Sequence, residues 1–201
     1  MKLDVNGQRQ LKGVLFNLLI DPRKQNVKNA CICLAAVASI ELPLGAWPDF
    51  FSSMCSNSNN DNFHVRLAAV QTLGFLCEFI EDDSFLTPDD VCQVLGATVL
   101  NINPDQVELT CISLDALTRT IPYIRPNFAI ENQRKLIMDG LIKAAKMEDD
   151  DCSSKAAEAI SEVVSVGYDY ISEFLQAIGE ITVSLIQANQ SEQASHILSF
   201  W

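Results

Sequence analysis

The chain has little of what active sites are built from. It holds only two histidines, His64 and His196, and they lie far apart in the sequence. A zinc site takes four Cys, His or carboxylate ligands at set spacings, and no such cluster is present. None of the seven cysteines stands in a Cys-x-x-Cys pair. The eight glycines are scattered, so there is no phosphate-cradling glycine loop and no Gly-x-Ser-x-Gly elbow. A Cys–His dyad through His64 would lack the orienting third group that an activated nucleophile needs, and a polar histidine beside a loop is the simpler account. The acidic run Glu148-Asp149-Asp150-Asp151 lacks the glycine and alternating ligands of a calcium loop and reads as a solvated turn. No catalytic residue, metal ligand or cofactor is expected, and the chain is not expected to be an enzyme.

Basic charge is also scarce. Fourteen Lys and Arg face twenty-six Asp and Glu, for a net charge of −12. Nucleic-acid binders carry a basic stripe, so nucleic acid is not an expected partner. An acidic surface instead attracts a partner rich in Lys and Arg over a Debye length of about 10 Å. Long apolar runs are missing too. The longest, residues 30–40, falls well short of the roughly 20 residues of a membrane span, and no membrane partner is expected. Lys2, Asp4 and Arg9 interrupt the start, so a signal peptide is not expected either. Cys31, Cys33, Cys77 and Cys111 sit inside apolar helical patterns, where a thiol behaves as a small hydrophobe. Cysteine used in this way fits a reducing, intracellular compartment.

What the chain does have is helix, in pairs. With 48% apolar and 20% charged residues it can bury a core rather than stay disordered. Leu11, Val14, Leu15, Leu18 and Leu19 recur at the spacing of one helix face over residues 6–20. Asp21-Pro22 ends that helix and a second runs to about residue 40. After the break Glu41-Leu42-Pro43-Leu44-Gly45, a short helix is predicted over 46–55, a polar loop over 56–62 and a helix over 63–80. Thr87-Pro88-Asp89-Asp90 is a capping-box start, and Asn103-Pro104-Asp105-Gln106 repeats that logic. Further helices are predicted over 131–147, 152–166, 170–188 and 191–201, and no strand.

Small residues occur in pairs on these helices: Ala30-Cys31, Ala68-Ala69, Thr110-Cys111, Ala156-Ala157 and Ala194-Ser195. Their spacing, near 40 residues, is the signature of HEAT or armadillo repeats. A small residue lets the two helices of a repeat cross closely, and each hairpin buries its faces against the next. The expected fold is all-α: a HEAT-repeat right-handed superhelical solenoid of about five hairpins (approximately 6–41, 45–80, 88–122, 130–167 and 170–201). It is read as a single array truncated at both ends, because neither end carries the polar face of a capping repeat.

Several of these segments resemble the importin-β (karyopherin-β) nuclear transport receptors. Ile40-Glu41-Leu42-Pro43 followed by Trp47-Pro48-Asp49 is similar to the family's Trp-Pro stretch. The resemblance continues through Leu73-Gly74-Phe75-Leu76-Cys77, Asn127-Phe128, Leu136-Ile137-Met138 and Phe200-Trp201, over nearly all of this chain but only part of a full receptor. It implies a fragment of a nuclear import receptor of the cytoplasm, nucleus and nuclear pore. The full-length receptor would carry cargo or importin-α and release it on binding Ran-GTP, while contacting the Phe-Gly repeats of nucleoporins. Matched by position, the family's Phe-Gly pocket falls on Leu95, Gly96 and Val99 of one convex-side helix and on Gln133, Leu136 and Ile137 of the next. Incomplete Ran binding and little importin-α affinity are expected of this stretch alone. A HEAT scaffold subunit of a phosphatase or another multiprotein assembly is the alternative, and fold alone does not choose between them.

Overall fold

The structure is a computed structural model that describes residues 5–81, 83–188 and 190–198. Among them there is helix and no strand. The chain divides into two compact units, Met1–Phe85 and Leu86–Trp201. Phe200-Trp201, and the last residues of the helix expected over 191–201, lie outside the described residues.

The first unit holds α1 (Val5–Leu18), α2 (Lys24–Glu41), α3 (Phe50–Ser58) and α4 (Phe63–Phe79). Asp21 stops α1 as expected, its Oδ1 accepting from the Arg23 N–H at 2.8 Å. Residues 56–58, expected in a polar loop, instead close the last turn of α3. Asn59 and Asn60 then end that helix on carbonyls of residues 55–57, and the Asn62 side chain caps α4. Between α2 and α3 the chain turns at Gly45, whose φ of +63° lies in the left-handed region open to glycine at no steric cost. Trp47 is pinned beneath this turn, edge-on to Phe16 and Phe50 at 6.1 and 5.1 Å. Lys12 of α1 lies 4.3 Å from its ring centroid and pairs with the buried Glu41 at 2.6 Å. The Glu41…Trp47 segment therefore has a structural task in this unit, clasping α1 against the break.

The second unit holds α5 (Pro88–Val99), α6 (Val107–Thr120), the single turn α7 (Arg125–Phe128), α8 (Glu131–Ala145), α9 (Asp150–Gly167), α10 (Leu175–Gln187) and α11 (Ser191–Leu198). Residues 170–174, expected at the start of an α-helix, belong instead to a 3-10 segment, Tyr168–Phe174, that leads into α10. The capping box at α5 is present in full: Asp90 N–H donates to Thr87 Oγ1 at 3.1 Å, and Thr87 N–H to Asp90 Oδ2 at 3.0 Å. The start of α6 differs from expectation. Asn103 turns back on the loop, accepting from Asp105 N–H and exchanging two hydrogen bonds with Thr110, while Gln106 stands at the N-cap and its side chain does not cap the helix. The acidic run begins α9. Asp149 is its N-cap, accepting from Cys152 N–H at 2.9 Å, and Asp150 and Asp151 fill the first turn, where negative charge complements the helix dipole.

In both units the second helices of successive hairpins pack on one another: α2 on α4, α6 on α9, and α9 on α11. The pairs Ala30-Cys31 and Ala68-Ala69 meet in such a contact. Ala30, Cys31, Ala68, Ala69, Thr110, Ala156 and Ala157 are all buried, and Cys31 Sγ lies 3.4 Å from the Ala68 carbonyl oxygen. At Cys31 and Ala68 the close approach is therefore between repeats, rather than within a hairpin as expected. Ser195 alone of the set is exposed.

Candidate functional site

Helices α5 and α8 run side by side as the first helices of successive hairpins. Asn127, fully buried in α7, ties their beginnings together. Its Nδ2 donates to the Pro88 carbonyl and to Gln133 Oε1, each at 2.8 Å. At their other ends the absent side chain of Gly140 lets the helices touch: a β-carbon there would stand 2.6 Å from Val99 Cγ1 and 3.4 Å from Ile102 Cδ1. Two pins, one polar and one steric, thus set the separation of these helices.

Between the pins the six positions matched to the pocket divide into two sets. Leu95, Val99 and Ile137 belong to one buried core, at 2%, 6% and 0% exposure. The expectation that they line an open groove is corrected: with Gly140 drawing α8 onto α5, their side chains fill the seam and present almost no surface. Gly96 and Gln133 are half-buried and Leu136 is 36% exposed, so these three do reach solvent. Each residue along a helix advances about 100°, so the solvent-facing row on α5 lies one position beyond the matched one. That row runs from Gly96 to Leu100, which is 65% exposed. A β-carbon at Gly96 would meet nothing within 4 Å, so the backbone there borders open space.

Sequence matching missed Leu100. The signal for it was the break at Asn103-Pro104, which places Leu100 at the end of its helix, where a side chain no longer packs under a following turn. On α8, Glu131 and Lys135 pair one turn apart, each stabilising the other's charged form. Arg134 is drawn away to Glu173, to the Phe128 carbonyl and over the Tyr170 ring. The large apolar side chains exposed on these two helices and at their ends are Leu100, Ile130 and Leu136.

The other expected features resolve as follows. His64 is exposed at the start of α4 and its N–H is capped by Asn62. Cys31 and Cys77 are buried as small hydrophobes, whereas Cys33 is exposed. Cys111, expected to be a thiol, is joined to Cys152 in a disulfide. Among the described residues no helix is long and apolar enough to cross a membrane.

Stacked helical hairpins whose second helices pack on one another define a HEAT-repeat fold. No family model matches the chain. It is related along its whole length to importin subunit beta-1. To that protein of Arabidopsis thaliana it is 26% identical over 203 residues, covering 100% of this chain and 23% of the relative. The solved structure of yeast importin-β (Kap95p) superposes on it with a TM-score of 0.90 at 23% identity, over 100% of this chain and 24% of that one. Kap95 in complex with Nup1 gives 0.88, and Kap95p bound to RanGDP gives 0.89, with the same coverage. The chain therefore spans less than a quarter of the length of the relatives it matches.

Proposed function

We propose that the chain is part of a nuclear import receptor and that the seam between α5 and α8 takes Phe-Gly segments of nucleoporins. The observation that carries this reading is that Leu100 and Leu136 are exposed on neighbouring helices and that the position above Gly96 is open. A phenylalanine ring laid over Gly96 would be flanked by Leu100 and Leu136, with Leu95, Val99 and Ile137 packed beneath as a firm floor. The Gln133 amide stands beside them for the peptide's backbone. In the full-length receptor, cargo or importin-α would be carried on other repeats and released by Ran-GTP, with the protein shuttling between cytoplasm and nucleus. Similarity to importin subunit beta-1 along the whole chain supports this assignment.

The energetics suit a transient contact. Burying one phenylalanine gains roughly 1.5–3 kcal/mol, and ordering a disordered segment takes back much of it. One phenylalanine alone falls short of the −4.1 kcal/mol of a millimolar Kd, so a single site binds more weakly than about a millimolar, and many repeats sampling several grooves supply residence. Titration of a Phe-Gly peptide against the native chain, Leu136→Asp and Leu100→Asp tests the reading. Both variants place a charge on an exposed position and should fold. Loss of saturable shifts in each is expected, and shifts equal to those of the native chain in both would refute the groove.

A further inference from the structure

The disulfide between Cys111 and Cys152 joins the second helices of the same two hairpins, α6 to α9. The two residues are 41 positions apart, about one repeat, with Cα atoms at 5.2 Å. That distance lies inside the range a disulfide requires, so stacking of the repeats brings the sulfurs within reach. One turn further along both helices, Lys155 pairs with Asp115 at 3.1 Å. This second link holds the register of α6 on α9 whether or not the sulfurs are bonded.

Both oxidation states are accommodated. Cys152 Sγ lies 3.6 Å from the Val107 carbonyl oxygen, so a buried thiol at 152 has an acceptor waiting. Cys111 is half-buried, packed against the core on one side and open to solvent on the other. The first unit supplies the contrast. Cys31 holds the same place in its small pair as Cys111 in its own, but Ala68 stands opposite, and burial pushes the Cys31 thiol up to about 11. The same helix contact without a second sulfur gives an unreactive thiol.

We propose that Cys111 and Cys152 form a reversible dithiol–disulfide switch that locks α6 to α9 under oxidising conditions. The oxidant is a low-molecular-weight disulfide of the glutathione class. Cys111, the accessible partner, loses its proton to solvent and attacks one sulfur of the small disulfide. A mixed disulfide forms, and the other half leaves as a thiolate that takes up a proton. Cys152, its proton likewise lost, then attacks Cys111 Sγ, closing the protein disulfide and expelling the second small thiol. Two protein thiols thereby give up two electrons and two protons, and one small disulfide becomes two thiols. In a reducing compartment the pair rests open, since disulfides there are transient and redox-sensing. The lock is independent of what the α5–α8 seam binds.

The test is differential alkylation with mass spectrometry on the whole chain, equilibrated in glutathione buffers from reduced to oxidised, with amide exchange measured in parallel. A peptide linked through 111 and 152 is expected in oxidised buffer, and both residues alkylated in reduced buffer. Amides of α6 and α9 should exchange at least about tenfold more slowly when linked. Cys152→Ala should trap glutathione on Cys111, and Cys111→Ser should leave Cys152 unmodified. The proposal fails if both thiols remain alkylated across all buffers, if the link does not reopen in reduced buffer, or if exchange in α6 and α9 is the same in both forms. These readings on the native chain decide the matter even if a variant does not fold.

Discussion

Val99 occupies the place where a side chain on Gly140 would have to go: a β-carbon there would stand 2.6 Å from its Cγ1. Val99 is β-branched and helical, so its χ1 is nearly fixed and it cannot swing aside. Gly96, on the same helix as Val99, has nothing within 4 Å of the same position. One substitution should therefore have opposite signs at the two sites. Gly96→Ala gains helix propensity of up to about 1 kcal/mol and should raise the unfolding midpoint. At Gly140 the same gain is offset by overpacking of about 1–3 kcal/mol, and Gly140→Ala should lower it. Thermal unfolding of both variants checks this, and a Gly140→Ala variant as stable as Gly96→Ala would show that the helices are not in contact there.

Among the described residues two buried side-chain polar atoms lack a hydrogen-bond partner, Ser113 Oγ and Asn127 Oδ1, yet they predict different outcomes. Removing the Ser113 hydroxyl abolishes an unsatisfied group and breaks no bond, so Ser113→Ala should be neutral or stabilising. Asn127→Ala also removes both donations from Nδ2, which join α7 and α8 to the start of α5. Each hydrogen bond lost from a part-buried acceptor costs about 0.5–1.5 kcal/mol, so this variant should lose stability in denaturant unfolding.

Glu162 of α9 has its carboxyl pushed above the ordinary value, first by burial and then by Glu158 one turn away. The folded state therefore holds this proton to higher pH than the unfolded chain does. By linkage, stability is highest with the group protonated and falls as pH rises from the ordinary glutamate value of 4.5 through the raised one. Glu162→Gln should stabilise the protein at neutral pH and make no difference in acid below that value. Unfolding midpoints across that pH range test the sign.

The helices were legible in the sequence because each has its own local signal. Thr87, Pro88 and Asp90 announce α5, and the apolar spacing of residues 11–19 announces α1, although Leu11 and Val14 on that face prove to be exposed. What failed was whatever depends on how one repeat sits on the next. Leu95, Val99 and Ile137 were matched by position, but their burial follows from the close approach at Gly140, which no local pattern encodes. A shift of one residue turned the face from Val99 to Leu100. The pairing of Cys111 with Cys152 depends on the same stacking. Its trace in the sequence was a separation of one repeat length, legible only once the second helices were known to pack on each other. Asn103 looked like a cap because its spacing suited one, and the loop used it for a tighter local turn.

The claim on which the functional account turns is that the seam between α5 and α8 is where a Phe-Gly segment lies. Amide and methyl NMR shifts recorded while titrating a Phe-Gly peptide into the isotope-labelled chain test this most directly. Shifts concentrated at residues 96–100 and 133–136, and abolished by Leu136→Asp, are predicted. Shifts that leave those residues unmoved, or that cluster instead around Trp47 in the first unit, would contradict the account.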